Sequence, residues 1–487
     1  MKFSGRLVAL IVVVSVVFSS LGTAVVLGNG GLWDQLMGES SLLSGTISEE
    51  KQGFDEEKLR KAYRLIQSNY VRDVTDQKLM DGAIQGMVKA LEDPYSAYMD
   101  PKQANQFKSD LKSSFTGIGA EVTMRNGRLT IVSPFKDSPA AKAGVRPEDQ
   151  VIKVNDKSLE GLDINAAVSH IRGPKGTKAE LEIVRPGVQD ILKITVIRDE
   201  IPIHTVETKM LADQIGLITI TQFSEKTADE FESGIAELEK QGIKGLVIDV
   251  RGNPGGLLPT VLQMSDALIA KDKMVLITED KQGKRQEFKS NGSATKSYPI
   301  NVLINKGSAS ASEILAAVLK ESGGYQLVGE TTFGKGTVQS AEEFTDGSNM
   351  KITIAKWLTP TGKWIDQNGG SKGIKPDVEV KAPDYYQAFP PYPEKPLKKN
   401  DNSVEVKNMQ MVLDALGYKP GRTDGYFDDR TDLAVKAFQK TKDITANGQF
   451  DTKTAEQLRE SFTAFLQDPK QDVQLQVAAE LLKKQIK

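Results

Sequence analysis

The chain contains no cysteine, which excludes disulfides, thiol nucleophiles and cysteine-ligated zinc together. Histidine is nearly as scarce. His170 and His204 are the only two among 487 residues, which leaves little for a histidine metal site. A formal net charge of −2 gives no basic surplus of the kind that holds a nucleic-acid backbone, so no nucleic-acid partner is expected. What remains is ordinary for a soluble globular protein, with 39% apolar and 26% charged residues. The length suggests about three domains at ~100–200 residues each.

One segment departs from that average. "MKFSGRLVALIVVVSVVFSSLGTAVVLGNGG" carries Lys2 and Arg6 and then no charge until Asp34. Its apolar run from Leu7 to Leu27 is long enough to cross a bilayer as a helix. Small residues at Gly22-Thr23-Ala24 leave a cleaved signal peptide as the alternative. The length of the run favours an uncleaved anchor. Basic residues ahead of it predict an N-in topology. Everything after about residue 35 is then expected outside the cytoplasm, at the plasma membrane or in the cell wall.

Composition and periodicity divide the rest into a multidomain α/β protein. Residues 1–34 are the anchor or signal peptide, and 35–53 a Gly/Ser-rich tether. Residues 54–111 repeat apolar side chains at helical spacing and read as a helical cap, ended in its second helix by Asp93-Pro94. Residues 112–200 alternate short strands with two helices, including an Asn-Gly turn at 126–127. Residues 201–381 repeat strand, turn and helix, the pattern of an α/β core that binds ligands at its strand ends. Residues 382–402 are a Pro- and Lys-rich linker, 403–462 a small helical unit, and 463–487 one amphipathic helix. On that last helix Val473, Leu475, Val477 and Leu481 suit packing on the core or on a second subunit.

Within the α/β part, "NKGSASASEILAAVLKE" (305–321) places Ser308, Ser310 and Ser312 at a strand-to-helix turn. A serine there is exposed at the sheet edge, beside helix-start N–H groups that can hold an anion. A hydroxyl still needs a base within hydrogen-bond reach. Ser310-Ala-Ser-Glu313 equally fits a plain capping box, and the two readings are compatible. Both histidines lie in or just after the β-rich module. A lysine can serve as base if burial lowers its pKa. "GETTFGKGTVQS" offers Lys335 between two glycines, although spacing alone does not separate it from an ordinary turn lysine.

Taken together, "NKGSASASEI", "VGETTFGKGTVQ" and "IDVRGNPGG" resemble the carboxyl-terminal processing (tail-specific) serine peptidases over residues 54–381 and the final helix. The resemblance implies a Ser–Lys dyad of Ser310 and Lys335, oriented by Gln339. Ser308 and Ser312 are then turn and cap residues. It implies oxyanion donors at the Ala311 N–H and at one glycine of "RGNPGG", of which Gly255 is chosen over Gly256. No metal or organic cofactor follows from it, and on family grounds two cores pair into a homodimer.

"TGIGAEV", "SPAAKAGVRPEDQVIKVND" and "AVSHIRGPKGT" resemble a PDZ domain. This implies a carboxylate-binding loop at Phe115, Thr116, Gly117, Ile118 and Gly119, with Arg172 as a candidate for reporting occupancy to the core. Residues 403–462, with "LGY", "DGYF" and "AVKAFQ", resemble the three-helix peptidoglycan-binding domain, which implies a thick-walled bacterial host. There Leu413 and Phe438 are expected in the core and Asp424–Phe427 at the wall. The function so implied is an extracytoplasmic serine endopeptidase that cuts proteins near their C-termini, with tails captured by the PDZ loop. A wall-tethered adaptor with an inactive protease fold, or a Ser–Lys amidase acting on the wall, are the alternatives.

Overall fold

A computed structural model describes residues 55–486 except Asn126, Ala294 and 367–371. The expected anchor and tether, 1–53, lie outside the described residues. Among the described residues no helix is long and apolar enough to cross a membrane.

The cap starts with α1 (Glu56–Asn69) and α2 (Asp76–Lys89), whose first N–H groups are held by the side chains of Asp55 and Thr75. It closes with α3 (Pro101–Leu111), which has a reciprocal Asp100/Gln103 capping box and a proline in its first turn. Between them lies β1 (Ala97–Met99), too short to show a period in sequence. It pairs antiparallel with β18 (Asn349–Leu358) of the core. The cap is therefore hydrogen-bonded into the core's second sheet. From α3, Phe107 and Leu111 pack on Leu257.

The β-rich module is a sheet in the order β3-β4-β5-β7-β8 (Ala120–Arg125, Arg128–Pro134, Gln150–Val154, Lys178–Val184, Leu192–Ile197). The two expected helices are α4 (Pro139–Lys142) and α5 (Ile164–Ile171). Alternation buries Leu129, Ile131, Leu181, Ile183 and Val196 on one side. A separate pair, β2 (Ser114–Gly117) with β9 (Asp199–Pro202), joins the module's entry and exit.

The core is built on a sheet in the order β10-β11-β12-β15-β16-β19. Strands β11 (Ile215–Ile220), β12 (Gly245–Asp249), β15 (Ile300–Ile304), β16 (Gln326–Gly329) and β19 (Val378–Glu379) run parallel, with β10 (Val206–Met210) antiparallel at the edge. Continuous apolar runs bury β12 and β15 on both faces. One face is covered by α6 (Thr227–Lys240), α7 (Leu258–Asp266) and α8 (Ala311–Glu321). A second sheet joins β1, β17 (Thr337–Glu343), β18 and the hairpin β13 (Met274–Asp280)–β14 (Arg285–Lys289), a hairpin the strand reading passes over.

The opposite face of the parallel sheet is covered by the last helix, α12 (Val473–Gln485). In this chain the helix returns to its own core. The buried face is Leu475, Ala478 and Leu482 against Ile215, Val247, Leu303 and Val328. Val473 is exposed, so the expected stripe is rotated by about one residue. Arg251 clamps the start of this helix through Asp249, Asp472 and Gln474.

The peptidoglycan-binding-like unit is α9 (Val404–Ala415), α10 (Asp429–Thr441) and α11 (Thr452–Gln467). Leu413 and Phe438 are in its core, as expected, but so is Phe427, which removes that side chain from any wall contact. Gln410 and Gln439 each accept from a turn glycine N–H, of Gly425 and Gly448, and each donate to a buried threonine. The linker is partly packed: Tyr385 lies edge-on to Phe462 and Phe465.

Candidate active site

Ser310 sits between β15 and α8 with φ +53° and ψ −113°. A non-glycine residue there stores roughly 1–3 kcal/mol of backbone strain, the signature of a side chain thrust out of a sharp strand-to-helix turn. The strain is held by neighbours. The Ser308 hydroxyl donates to the Val250 carbonyl at 2.8 Å, and the Ser312 hydroxyl to the Asn253 carbonyl at 2.8 Å. The Ala309 N–H donates to the same Asn253 carbonyl at 3.0 Å. The serine turn and the "RGNPGG" turn are thus stapled, and a side chain at Gly307 would strike Gly252 at 2.8 Å.

Glu313 takes its place in the expected capping box, and its carboxylate also reaches further. Oε2 accepts from the N–H groups of Ser310 (2.9 Å) and Lys335 (2.8 Å). Oε1 accepts from the Gly334 N–H (2.6 Å) and the Thr332 hydroxyl (2.6 Å). One buried carboxylate therefore fixes the serine turn against the lysine loop, a second role hidden behind a familiar sequence pattern. The Phe333 N–H adds a bond to the Ser308 carbonyl.

Lys335 is 1% exposed. Its backbone packs as tightly as flanking glycines suggest: a side chain at Gly336 would meet the Ile365 carbonyl at 2.3 Å. Burial pushes the amine down to about 7; the nearby Lys351 adds to this, and Glu313 and Asp93 oppose it. Lys351 is likewise pushed down by burial, to about 8. The Lys335 Nζ lies 4.7 Å from the centre of the Tyr95 ring.

The other expected residues are placed as follows. Ala311 is the first residue of α8, where an N–H has no intrahelical acceptor. The Gly255 N–H is already spent on the Asn253 side chain at 2.8 Å, which corrects its expected role as a donor in this conformation. Gly255 instead matters for closeness: a Cβ there would lie 3.0 Å from the Ala311 nitrogen and 3.0 Å from Ser310 Cβ. At its φ of +107°, Gly255→Ala is expected to cut kcat at least about tenfold with little change in KM, measured on a reporter peptide. Gln339 also differs from expectation. A register shift between Val338 and Gln339 turns its amide nitrogen to Thr337 (2.9 Å) and Thr353 (3.1 Å). Its carbonyl oxygen is buried with no hydrogen-bond partner, so it does not hold Lys335.

In the β-rich module, Phe115, Thr116 and Gly117 lie on β2, paired with Ile201, Glu200 and Asp199. Ile118 is buried in the module's core, and Gly119 has φ +75° against Ser138. Arg172 places its guanidinium 5.2 Å over the Phe115 ring and reaches Gln106 of α3 at 3.5 Å. The site region and this loop are therefore linked through α3, whose Phe107 and Leu111 touch Leu257 beside "RGNPGG".

A strained serine turn, a buried lysine loop keyed to it by Glu313 and a separate β-rich module fit a serine protease. The chain belongs to peptidase family S41, among the carboxy-terminal processing proteases. The family profile matches residues 214–380. A PDZ domain matches 130–185, a peptidoglycan binding domain 402–458, and the N-terminal domain of the activating protease CtpB 27–103. The carboxy-terminal processing protease CtpB of Bacillus subtilis is 48% identical over 88% of this chain and 88% of its own. CtpA of the same organism is 44% identical over 100% of both. Among solved structures, a photosystem II D1 C-terminal processing protease is 28% identical over 68% of this chain and 87% of its own, with a TM-score of 0.41.

Proposed function

We propose that the chain hydrolyses peptide bonds near protein C-termini with Ser310 as nucleophile and neutral Lys335 as general base. The observation that carries this is the Glu313 carboxylate, which keys the lysine loop to the serine turn while Lys335 is buried enough to lose its proton near pH 7. Ser310 Oγ attacks the scissile carbonyl as its proton passes to the Lys335 amine. The tetrahedral oxyanion is stabilised by the Ala311 N–H, with the Gly256 N–H as the second donor. The ammonium then protonates the leaving amine, and water hydrolyses the acyl-enzyme by the same base. A fluorophosphonate is expected to label the wild type and leave Ser310→Ala unlabelled. Absence of label from folded wild-type protein defeats the reading in favour of an adaptor, and release of stem-peptide fragments from purified wall favours the amidase.

Substrate tails enter by strand addition at the PDZ module, with their carboxylates at Phe115–Gly119. Arg172, stacked on Phe115 and touching α3, couples occupancy to the core. Arg172→Ala is expected to reduce stimulation by a C-terminal peptide about fivefold or more, and equal stimulation in both proteins defeats the coupling.

The same reading places the enzyme on the extracytoplasmic face, anchored by residues 7–27 and held to peptidoglycan through 403–462. The exposed apolar side chains Leu59, Leu65, Ile66, Met80 and Met87 of α1 and α2 support a homodimer through the cap.

A further inference from the structure

The loop that leaves α2 has no role in the mechanism as described, yet it forms one wall around the Lys335 amine. Tyr95 lays its ring over Nζ at 4.7 Å. Asp93 accepts from the Thr353 hydroxyl at 2.6 Å and from the Ser96 hydroxyl at 2.6 Å. Thr353 in turn accepts from the Gln339 amide, and its N–H donates to Ser96. The same loop runs into β1, whose Tyr98 hydroxyl returns to Asp81 of α2 at 2.6 Å while its backbone pairs with Met350. Cap, loop and the strands bearing Gln339 and Lys351 are therefore one hydrogen-bonded unit.

We propose that Asp93 and Tyr95 are positioning residues for the Lys335 amine: the Tyr95 ring shields it from water, and Asp93 ties the β17–β18 strands to the cap beside it. This rests on Lys335 being the base. The charged and titratable groups facing that amine are Glu313 from α8, Lys351 from β18, and Asp93 with Tyr95 from the loop. Asp366 acts on Tyr95. Burial among these carboxylates pushes the Tyr95 hydroxyl up to about 12, so the ring is present as neutral phenol. Two opposite consequences follow for neighbouring residues. Removing the ring admits water, relieves the main cause of the depressed amine and favours the ammonium. Removing the Asp93 charge deletes an influence that favours the ammonium.

The test is the pH profile of kcat/KM on a reporter peptide, in the full chain. In the wild type the acid limb is expected near the amine's value of about 7. Tyr95→Ala is expected to move the limb up by about half a unit or more and lower kcat at pH 7 about twofold or more, with KM within about twofold. Tyr95→Phe, which keeps the ring face, is expected to bring the limb back. Asp93→Asn is expected to move it down. A limb unmoved in both Tyr95→Ala and Asp93→Asn, or moved the same way in both, overturns the proposal. Should Asp93→Asn fail to fold, the Tyr95→Ala shift and its rescue by Tyr95→Phe decide alone. Lys335→Ala runs alongside: if it still cleaves, the base assignment falls as well, and if it is inactive while the limb stays fixed, only the role of the loop falls.

Discussion

Lys335→Ala is expected to lose at least about 10³-fold in kcat/KM, because the Ser310 hydroxyl is then left with no base to take its proton. Lys335→Arg is expected to be as inactive, since a guanidinium cannot be neutral at any working pH and is too wide for a site 1% exposed. In the wild type only the neutral amine is competent, so activity rises with pH through about 7. The same depression carries a cost in stability. The unfolded chain takes up the proton below the ordinary value of 10.5, whereas the buried amine resists it down to about 7. The folded state is therefore penalised progressively from pH 10.5 downward, and fully below about 7, by on the order of 5 kcal/mol. Lys335→Met is inactive by the same argument, yet is expected to melt above the wild type at pH 6, with the difference shrinking as the pH approaches 10. A lower melting temperature at pH 6 would show that the amine is not held neutral at a cost to folding.

Where a function depends on a short run of sequence, that run made it legible. The serine turn, the glycine-flanked lysine and the "RGNPGG" turn each lie within about ten residues, and each falls where a β-turn-α reading puts it. What stayed hidden was how these runs face each other. Glu313 reads as a helix cap because Ser-x-x-Glu is local, whereas its bonds to Thr332, Gly334 and Lys335 cross about twenty residues. Asp93 reads as a helix terminator, yet it reaches Thr353 across the cap boundary. The last helix shows a stripe through Val473, but docking against β12 and β15 selects a face one residue round, because Arg251 fixes where the helix begins. Periodicity reports that an element has an apolar side. It does not report the bulge at Gln339, or that the Asn253 side chain two residues away takes up the Gly255 N–H, because neither leaves a mark in the apolar pattern.

The hidden contact with the largest consequence is Glu313, and Glu313→Gln is expected to be nearly as damaging as Glu313→Ala. Ordinarily glutamine is a mild replacement for glutamate. Here each carboxylate oxygen accepts two hydrogen bonds, three of the four from backbone N–H groups that can only donate, so whichever way the amide is turned its NH₂ faces at least one backbone N–H. Burial pushes the Glu313 carboxyl up, while these four hydrogen bonds favour the charged form. Alanine leaves four buried donors unmatched, at roughly 1–3 kcal/mol each, enough to remove much of the stability of a typical domain. Glutamine removes two acceptors and adds repulsion at the point where Ser310 and Lys335 are held together. The expected result is a loss of at least about 10²-fold in kcat and a melting temperature several degrees lower for Glu313→Gln. Reactivity separates placement from plain destabilisation: well below its melting temperature, Glu313→Gln is expected to react with a fluorophosphonate far more slowly than the wild type. Wild-type labelling by that folded variant would mean that the serine turn and the lysine loop hold their register without the carboxylate, and that Glu313 serves the helix alone.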